Sequence, residues 1–155
     1  MRQHEGNVVN RAFERVFALD LRSVALFRVG LAVAVLSDLL YRASDLSAFY
    51  TDAGVLPRTV LREAINAQPV SLHALSGGAG LQIGLFVLCA LAALALLIGY
   101  RSQLAAFVCW ALMLSLHQRN PLLLQGGDDL LVILLFFGFL LPLGARFGID
   151  AALNR

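Results

Sequence analysis

The sequence predicts an all-α integral membrane protein with about four transmembrane helices and short interfacial amphipathic helices. The chain has 155 residues, of which 59% are hydrophobic. Its mean hydropathy of +0.78 is far above that of a soluble domain, in which apolar residues make up about half of the sequence. Apolar runs alternate with turn signals, so residues 1–155 are expected to form a single membrane domain.

Residues 21–42 form the first predicted span. A run of about 20 mainly apolar residues can cross a bilayer, and an ionisable group inside it is costly unless it is paired or faces a polar cavity. This run contains both Arg28 and Asp38. Each of the two charges therefore needs a partner. Asp20, directly before the run, is expected to cap the helix.

Two polar stretches flank this span. Residues 1–20 place apolar side chains at helical spacing and predict an interfacial helix. Residues 43–79 form an outer loop, in which Asp52, Gly54 and Pro57 signal turns before a short amphipathic helix. We expect that helix to lie on the membrane surface.

Three further spans are predicted, over residues 80–99, 104–118 and 130–144. Residues 100–102 form a tight turn that makes the second and third spans a hairpin. Residues 117–129 are polar and form a loop or re-entrant corner before the last span.

An even number of spans places both termini on one side. The side with the termini carries more arginines than the other, so the positive-inside rule places both termini in the cytoplasm and residues 43–79 outside. The inner set is Arg2, Arg11, Arg15, Arg22, Arg101, Arg146 and Arg155, and the outer set is Arg42, Arg58, Arg62 and Arg119.

Composition excludes several classes of function. The net charge of +2 forms no basic patch, so no nucleic-acid partner is expected. Cys89 and Cys109 lie within apolar runs and indicate neither a disulfide framework nor a zinc site, which leaves packing or a dithiol pair. All twelve basic residues are arginine, so the chain has no lysine amine for catalysis.

A polar cluster is predicted at the outer end of the spans. Asp38 and Arg42 lie four residues apart on one helical face and should form an ion pair. The third span ends and the fourth begins at the same level, which gives an outer cluster of Asp38, Arg42, His117, Arg119, Asp128 and Asp129. Two interpretations stay open: these residues fix the loops, or they form a binding or catalytic pocket. No metal site is expected, because neutral histidine and thiolate donors are too few.

Arg28 lies about 15 Å along the helix axis from Asp38, too far to pair with it. It either extends toward lipid phosphates or loop carbonyls, or binds an anionic or quinone-like ligand between helices. The sequence places no acidic partner at its depth.

Several segments resemble a known family. The runs LDLRSVALFRVGLAVAVLSDLLYRASDL, FYTDAGVLPR, GYRS and RNPLLLQGGDDLLVILLFFGFLLPLGARFGID are similar to the horizontally transferred transmembrane (HTTM) domain. That domain also forms the membrane part of vitamin K-dependent γ-glutamyl carboxylase, and a bacterial branch takes part in maturing a secreted sporulation-delaying toxin. The residues that match the family pattern are Arg28, Asp38, Arg119, Asn120, Asp128 and Asp129.

The resemblance covers residues 20–150 and only the first four helices of larger members, so a truncated piece of a longer member is one interpretation. The catalytic base of the carboxylase is a lysine in the later part. Because this chain has no lysine, the resemblance does not extend to vitamin K chemistry.

Two functions follow as hypotheses. The first is a small bacterial inner-membrane protein that acts as a scaffold or accessory subunit and docks lipid, quinone or partner helices. Its partners would be membrane lipids and other membrane protein subunits. The alternative is a membrane enzyme or half-enzyme that acts on a peptide or lipid-soluble substrate through the outer cluster. The sequence assigns no cofactor.

Overall fold

The computed structural model describes residues 20–65, 71–145 and 147–153, and these residues form helices, turns and loops without a β-strand. The all-α prediction is confirmed for them, whereas the interfacial helix predicted in residues 1–20 lies almost entirely outside them. In chain order the helices are α1 (Leu21–Ala43), α2 (Leu46–Tyr50), α3 (Arg58–Ile65), α4 (Ala79–Ile98), α5 (Ser102–Arg119), α6 (Gly126–Leu140) and α7 (Ile149–Leu153), with 3-10 turns at Leu72–Ala74 and Pro121–Leu123.

Within the part of the chain that the structure describes, two helices are long and apolar enough to cross a membrane, α1 with 23 residues and α4 with 20. Asp20 caps α1 as predicted, because its Oδ1 accepts from the Arg22 amide at 3.0 Å. The other two main helices are shorter: α5 has 18 residues and α6 has 15. At 1.5 Å per residue, α6 is about 22 Å long, less than the roughly 30 Å of a hydrocarbon core.

The predicted boundaries of the fourth span are wrong by four residues at each end. The helix runs over Gly126–Leu140, not over 130–144. It begins early because Gln125 and Asp128 form a capping box, in which the Asp128 carboxylate accepts from the Gln125 amide at 2.9 Å. It ends early because Leu141 precedes Pro142 and is extended, with ψ 154°.

The four main helices pack as a ring: α1 contacts α4, α4 contacts α5, α5 contacts α6, and α6 contacts α1. Helices α1, α4 and α6 bury residues mainly three or four positions apart, which is the spacing of a single helical face, whereas the last turn of α5 is buried on several sides. On α1 this face includes Leu31, Val35 and Leu39. Successive helices run in opposite directions, so the last turns of α1 and α5 lie beside the first turns of α4 and α6.

The predicted hairpin between α4 and α5 is confirmed. Gly99 ends α4 with φ 75° and Arg101 precedes α5 with φ 44°, both in the left-handed region. The two cysteines of this hairpin are buried at the same depth, and the Sγ of Cys109 lies 4.0 Å from the carbonyl oxygen of Cys89.

Candidate functional site

The predicted ion pair between Asp38 and Arg42 is present in the last turns of α1. The Nε of Arg42 donates to both carboxylate oxygens of Asp38, at 2.9 and 2.8 Å. Arg42 is only 9% exposed, so the pair is largely shielded from water. Its guanidinium also donates through Nη1 to the Oη of Tyr50 at 2.8 Å. Burial raises the pKa of Tyr50 and outweighs the nearby Arg42 charge, which keeps the phenol neutral.

Asp128 joins this pair from the first turn of α6. Its Oδ1 accepts from the Nη2 of Arg42 at 2.7 Å, while its Oδ2 accepts from the Gln125 amide. One guanidinium therefore bridges two carboxylates from two helices. Since the second acid lies 86 residues away, the bridge fixes the last turns of α1 against the first turn of α6.

His117 completes the group from the last turn of α5. One of its ring nitrogens and a carboxylate oxygen from each of Asp38 and Asp128 lie within 4.8 Å of one another. The imidazole is 4% exposed, and its Nε2 is buried without a hydrogen-bond partner among the described residues. Asp38, Arg42, His117 and Asp128 are called the Asp38 cluster below.

A cavity of about 620 Å³ opens beside the Asp38 cluster. Three carboxylates and three aromatic rings contribute to its wall, so it combines negative charge with apolar surface. Its lining residues are Asp38, Tyr41, Arg42, Asp45, Phe49, Tyr50, Leu123, Gln125 and Asp128.

Two of the six residues predicted for the outer cluster lie apart from it. Arg119 is fully buried and donates to the carbonyl oxygen of Leu56 at 2.9 Å, with Asp52 at 3.5 Å. Asp129 is exposed on α6 and forms no hydrogen bond or ion pair among the described residues. Arg119 thus anchors the outer loop. The i, i+1 spacing of Asp128 and Asp129 turns their side chains to different faces of the helix.

Sequence reasoning missed the partner of Arg119. Asp52 accepts from the side chain of Arg58 at 2.7 to 3.1 Å and from its amide at 3.1 Å. These hydrogen bonds hold the pKa of Asp52 below its ordinary value despite some desolvation. The sequence shows Asp52 only as a turn residue, because its partners come from the start of α3 and from the end of α5.

A second missed group holds the outer loop on α5. Ser115 Oγ lies 3.1 Å from the amide of His73 and 3.0 Å from its Nδ1, and Ser71 donates to the Ser115 carbonyl at 2.6 Å. Gln82 of α4 donates to the His73 carbonyl at 2.8 Å. Burial, helped by the charge of Arg119, lowers the pKa of His73 to about 4, so this imidazole is neutral near pH 7.

Arg28 binds backbone at the opposite end of the bundle. It is 1% exposed, and its Nη1 and Nη2 donate to the carbonyl oxygens of Leu143 and Phe147 at 3.4 and 2.6 Å. A second cavity, of about 430 Å³, lies at this end, but Arg28 is not among its lining residues. Of the two interpretations for Arg28, the contacts favour loop carbonyls over a bound ligand.

Asp150 anchors the segment that supplies these carbonyls. Its carboxylate accepts from the Arg101 amide at 2.7 Å, and from the amide and hydroxyl of Ser102 at 2.9 and 2.8 Å. Burial raises the pKa of Asp150, but these hydrogen bonds outweigh it and leave the pKa below its ordinary value. Asp150 therefore caps the first turn of α5 from 48 residues away.

No protein-family model matches the chain, and no curated protein or solved structure shows significant similarity to it. Its fold and site alone define its class. Over residues 20–65, 71–145 and 147–153 it is all-helical, and two of these helices are long and apolar enough to span a membrane. A buried, charged network beside a cavity occupies one end of its helix bundle.

Proposed function

We propose that this chain is a four-span membrane protein of the HTTM type that serves as a scaffold or accessory subunit. In this proposal α1, α4, α5 and α6 cross the bacterial inner membrane, with both termini in the cytoplasm and the Asp38 cluster at the outer face. The outward surfaces of the helices dock lipid, quinone or the helices of partner subunits.

The observation that carries the proposal is the apolar outward surface of the main helices. A soluble bundle covers this surface with charged residues, whereas a membrane-embedded one exposes it to lipid. The exposed large apolar residues of these helices are Leu26, Val29, Val33, Leu40, Tyr41, Ile83, Val87, Leu88, Leu91, Leu94, Ile98, Leu104, Phe107, Leu130, Ile133, Phe136, Phe137 and Leu140.

Burial separates α1 and α4 from the core helices of a soluble protein, which are mostly buried. Only 39% of the most apolar window of α1, and 28% of that of α4, is buried inside the chain. Most of these two windows therefore faces outward. Insertion into a bilayer removes this apolar surface from water, which is favourable by about 25 cal/mol for each Å².

The assignment of α5 and α6 as spans rests on their packing. Both run antiparallel to their neighbours within the same ring of four helices, so they share the depth of α1 and α4. A bilayer thins locally around short spans at a modest cost per ångström. The extended residue Leu141 adds about 3 Å beyond the end of α6.

The family part of the proposal rests on the sequence motifs and on the buried charges that they contain. Arg28, Asp38 and Asp128 match the HTTM pattern. Arg28 and Asp128 make long-range contacts in the bundle, and Asp38 pairs with Arg42 of its own helix, which also binds Asp128. Charges of this kind within spans are costly and mark functional or architectural sites.

Single-cysteine labelling tests the four-span topology. In a background with Cys89 and Cys109 replaced by alanine, the exposed positions Ala53 and Ala145 are each changed to cysteine. A membrane-impermeant maleimide should label Ala53→Cys in intact cells, and Ala145→Cys only after the inner membrane is opened. Labelling of both positions in intact cells, or of neither, overturns the four-span topology. Labelling of Ala145→Cys alone in intact cells would mean that the termini lie outside and the loop of residues 43–79 lies in the cytoplasm.

A second candidate, a membrane enzyme or half-enzyme, is favoured by one observation. The cavity of about 620 Å³ brings carboxylates, a guanidinium and a phenol together beside an imidazole. We expect Asp128→Asn to abolish retention of a small molecule that copurifies from mild detergent, while Asp129→Asn, outside the cavity, retains it. Equal retention by both variants excludes a ligand in this cavity.

A further inference from the structure

We propose that Asp38, His117 and Asp128 form a binding site for a divalent first-row transition-metal ion. One ligand atom from each of these three side chains lies within 4.8 Å of the other two. Carboxylate oxygen and imidazole nitrogen are the donors that such ions prefer in proteins. Three protein ligands leave further coordination positions open to water. The site does not depend on the number or direction of the spans.

His117 provides an observation that is independent of the acidic residues. Its side chain is 96% buried, since it is 4% exposed, yet its Nε2 has no hydrogen-bond partner among the described residues. A buried polar group without a partner destabilises the fold. The other buried imidazole at this end, that of His73, has Ser115 as its partner. A metal ion gives the His117 ring the strong interaction that the protein leaves open.

A metal ion at this site would lie close to the positive guanidinium of Arg42, which already binds both acidic ligands. Its Nε shares one N–H between the two oxygens of Asp38, and its Nη2 donates to a single oxygen of Asp128. A carboxylate has about four lone-pair sites, so both acids retain coordination capacity. Carboxylates that ligate metals are commonly held by an outer hydrogen-bond donor. Arg42 has this position, and it holds both carboxylates in fixed orientations.

The charge balance and access also suit a dication. Two carboxylates and one guanidinium carry a formal charge of −1, so the site attracts a divalent ion even with Arg42 in place. Asp38 and Asp128 line the cavity of about 620 Å³, which gives hydrated ions a path to the ligands. Asp45 lines the same cavity and is exposed, but it is not one of the three ligands.

The ligand set selects the kind of ion. Calcium and magnesium bind almost entirely through oxygen, and an imidazole therefore disfavours them. Zinc, cobalt and manganese accept mixed nitrogen and oxygen ligands. Zn²⁺ is therefore the ion for measuring affinity, and Co²⁺ is the ion whose visible absorption reports the geometry of its ligands.

The test uses the full chain, purified in mild detergent with a tag that contains no histidine and stripped of metal with EDTA. Isothermal titration calorimetry with Zn²⁺ should give one site per chain, and Co²⁺ should give a visible absorption band. His117→Gln and Asp128→Asn should each weaken Zn²⁺ binding at least about tenfold, because loss of an outer-shell group alone costs that much. The matched control Asp45→Asn removes a carboxylate from the same cavity and should keep the parent affinity.

Three results overturn the proposal. The first is no Zn²⁺ binding by the parent chain. The second is parent affinity in His117→Gln, which disturbs neither Arg42 nor the capping box and so tests the ligand without loss of the fold. The third is Ca²⁺ competition together with an equal loss in Asp45→Asn and Asp128→Asn, which indicates non-specific attraction of cations to an acidic cavity. Circular dichroism in EDTA verifies that each variant is folded.

Discussion

Two buried arginines of the same helix are held in different ways. Arg42 is 9% exposed and binds side chains: two carboxylates, from Asp38 and Asp128, and one phenol. Arg28 is 1% exposed and binds backbone carbonyls of the C-terminal segment. Removing Arg42 would leave two carboxylates without their shared cation, whereas removing Arg28 would leave only neutral acceptors. The consequences of losing each arginine should therefore differ in size.

The comparison also shows which end of the bundle depends on charge. At the end that holds the Asp38 cluster, one guanidinium neutralises acids of α1 and α6 directly. At the opposite end, the fully buried guanidinium of Arg28 has no carboxylate within ion-pair distance among the described residues, and Asp150 acts on it only through its field. Buried ion pairs contribute little net stability when intact, but breaking one is costly.

The largest effect is expected for Arg42→Met. Two largely buried carboxylates would lose their cation, and the free energy of unfolding should fall by about 3 to 5 kcal/mol. Unfolding by sodium dodecyl sulfate in mixed micelles, followed by circular dichroism with EDTA present, measures the loss. Arg22→Met, at an exposed position of the same helix, is the control and should change stability by less than about 0.5 kcal/mol. A loss below about 1 kcal/mol in Arg42→Met would remove the contrast between the two ends.

Acid should weaken the packing of residues 71–74 on α5 through protonation of His73. Its pKa of about 4 in the folded chain lies below the ordinary 6.5, so the unfolded chain binds more protons between these two values. Stability is therefore complete above about pH 6.5 and falls as the pH is lowered toward 4, by at most about 3 kcal/mol. His73→Gln should flatten this part of the stability profile. An unchanged slope in that variant would assign the acid sensitivity to another group.

Arg28→Met should cost less than Arg42→Met, about 2 kcal/mol, because hydrogen bonds from a charged donor contribute about 1.5 to 3 kcal/mol and no charge is left unpaired. A Cβ at Gly148 would collide with the Arg28 guanidinium. Gly148→Ala should thus be more damaging in the parent than in the Arg28→Met background, and a double-mutant cycle measures the difference. Additive losses would show that the two positions act independently.

The same contrast explains which features were predictable from the sequence. The Asp38–Arg42 pair follows from i, i+4 spacing, and the Asp20 cap follows from its place before the apolar run. Asp128 and His117 were predicted nearby because antiparallel spans bring their ends together. Carbonyl acceptors carry no residue-type signal, so Leu143 and Phe147 could not be foreseen as partners of Arg28.

Arg119 and the fourth helix show a further limit of sequence reasoning. Arg119 was placed with the outer cluster by its depth alone, yet its side chain turns to Leu56 and Asp52. The boundaries of α6 were displaced because hydropathy assigns Gly126 to Asp129 to a loop, whereas a capping box and the residue before Pro142 set the observed ends. Specific hydrogen bonds and the backbone before Pro142 determine the contacts of Arg119 and the ends of α6, and the pattern of apolar residues does not predict them.

The smallest effect is expected at Asp150, which caps α5 and positions the carbonyls that bind Arg28. Asp150→Asn keeps the size of the side chain but removes its charge, and should cost about 1 kcal/mol, the usual value of a lost helix cap. The pKa of Asp150 is below its ordinary value in the folded chain. Its contribution is therefore present above about pH 4 and is lost as the pH falls through the lower folded value. Parent and variant should differ at pH 7 and converge in strong acid. If the difference in stability between parent and variant stays constant from pH 7 to strong acid, the geometry of the hydrogen bonds, and not the carboxylate charge, holds the C-terminal segment on α5.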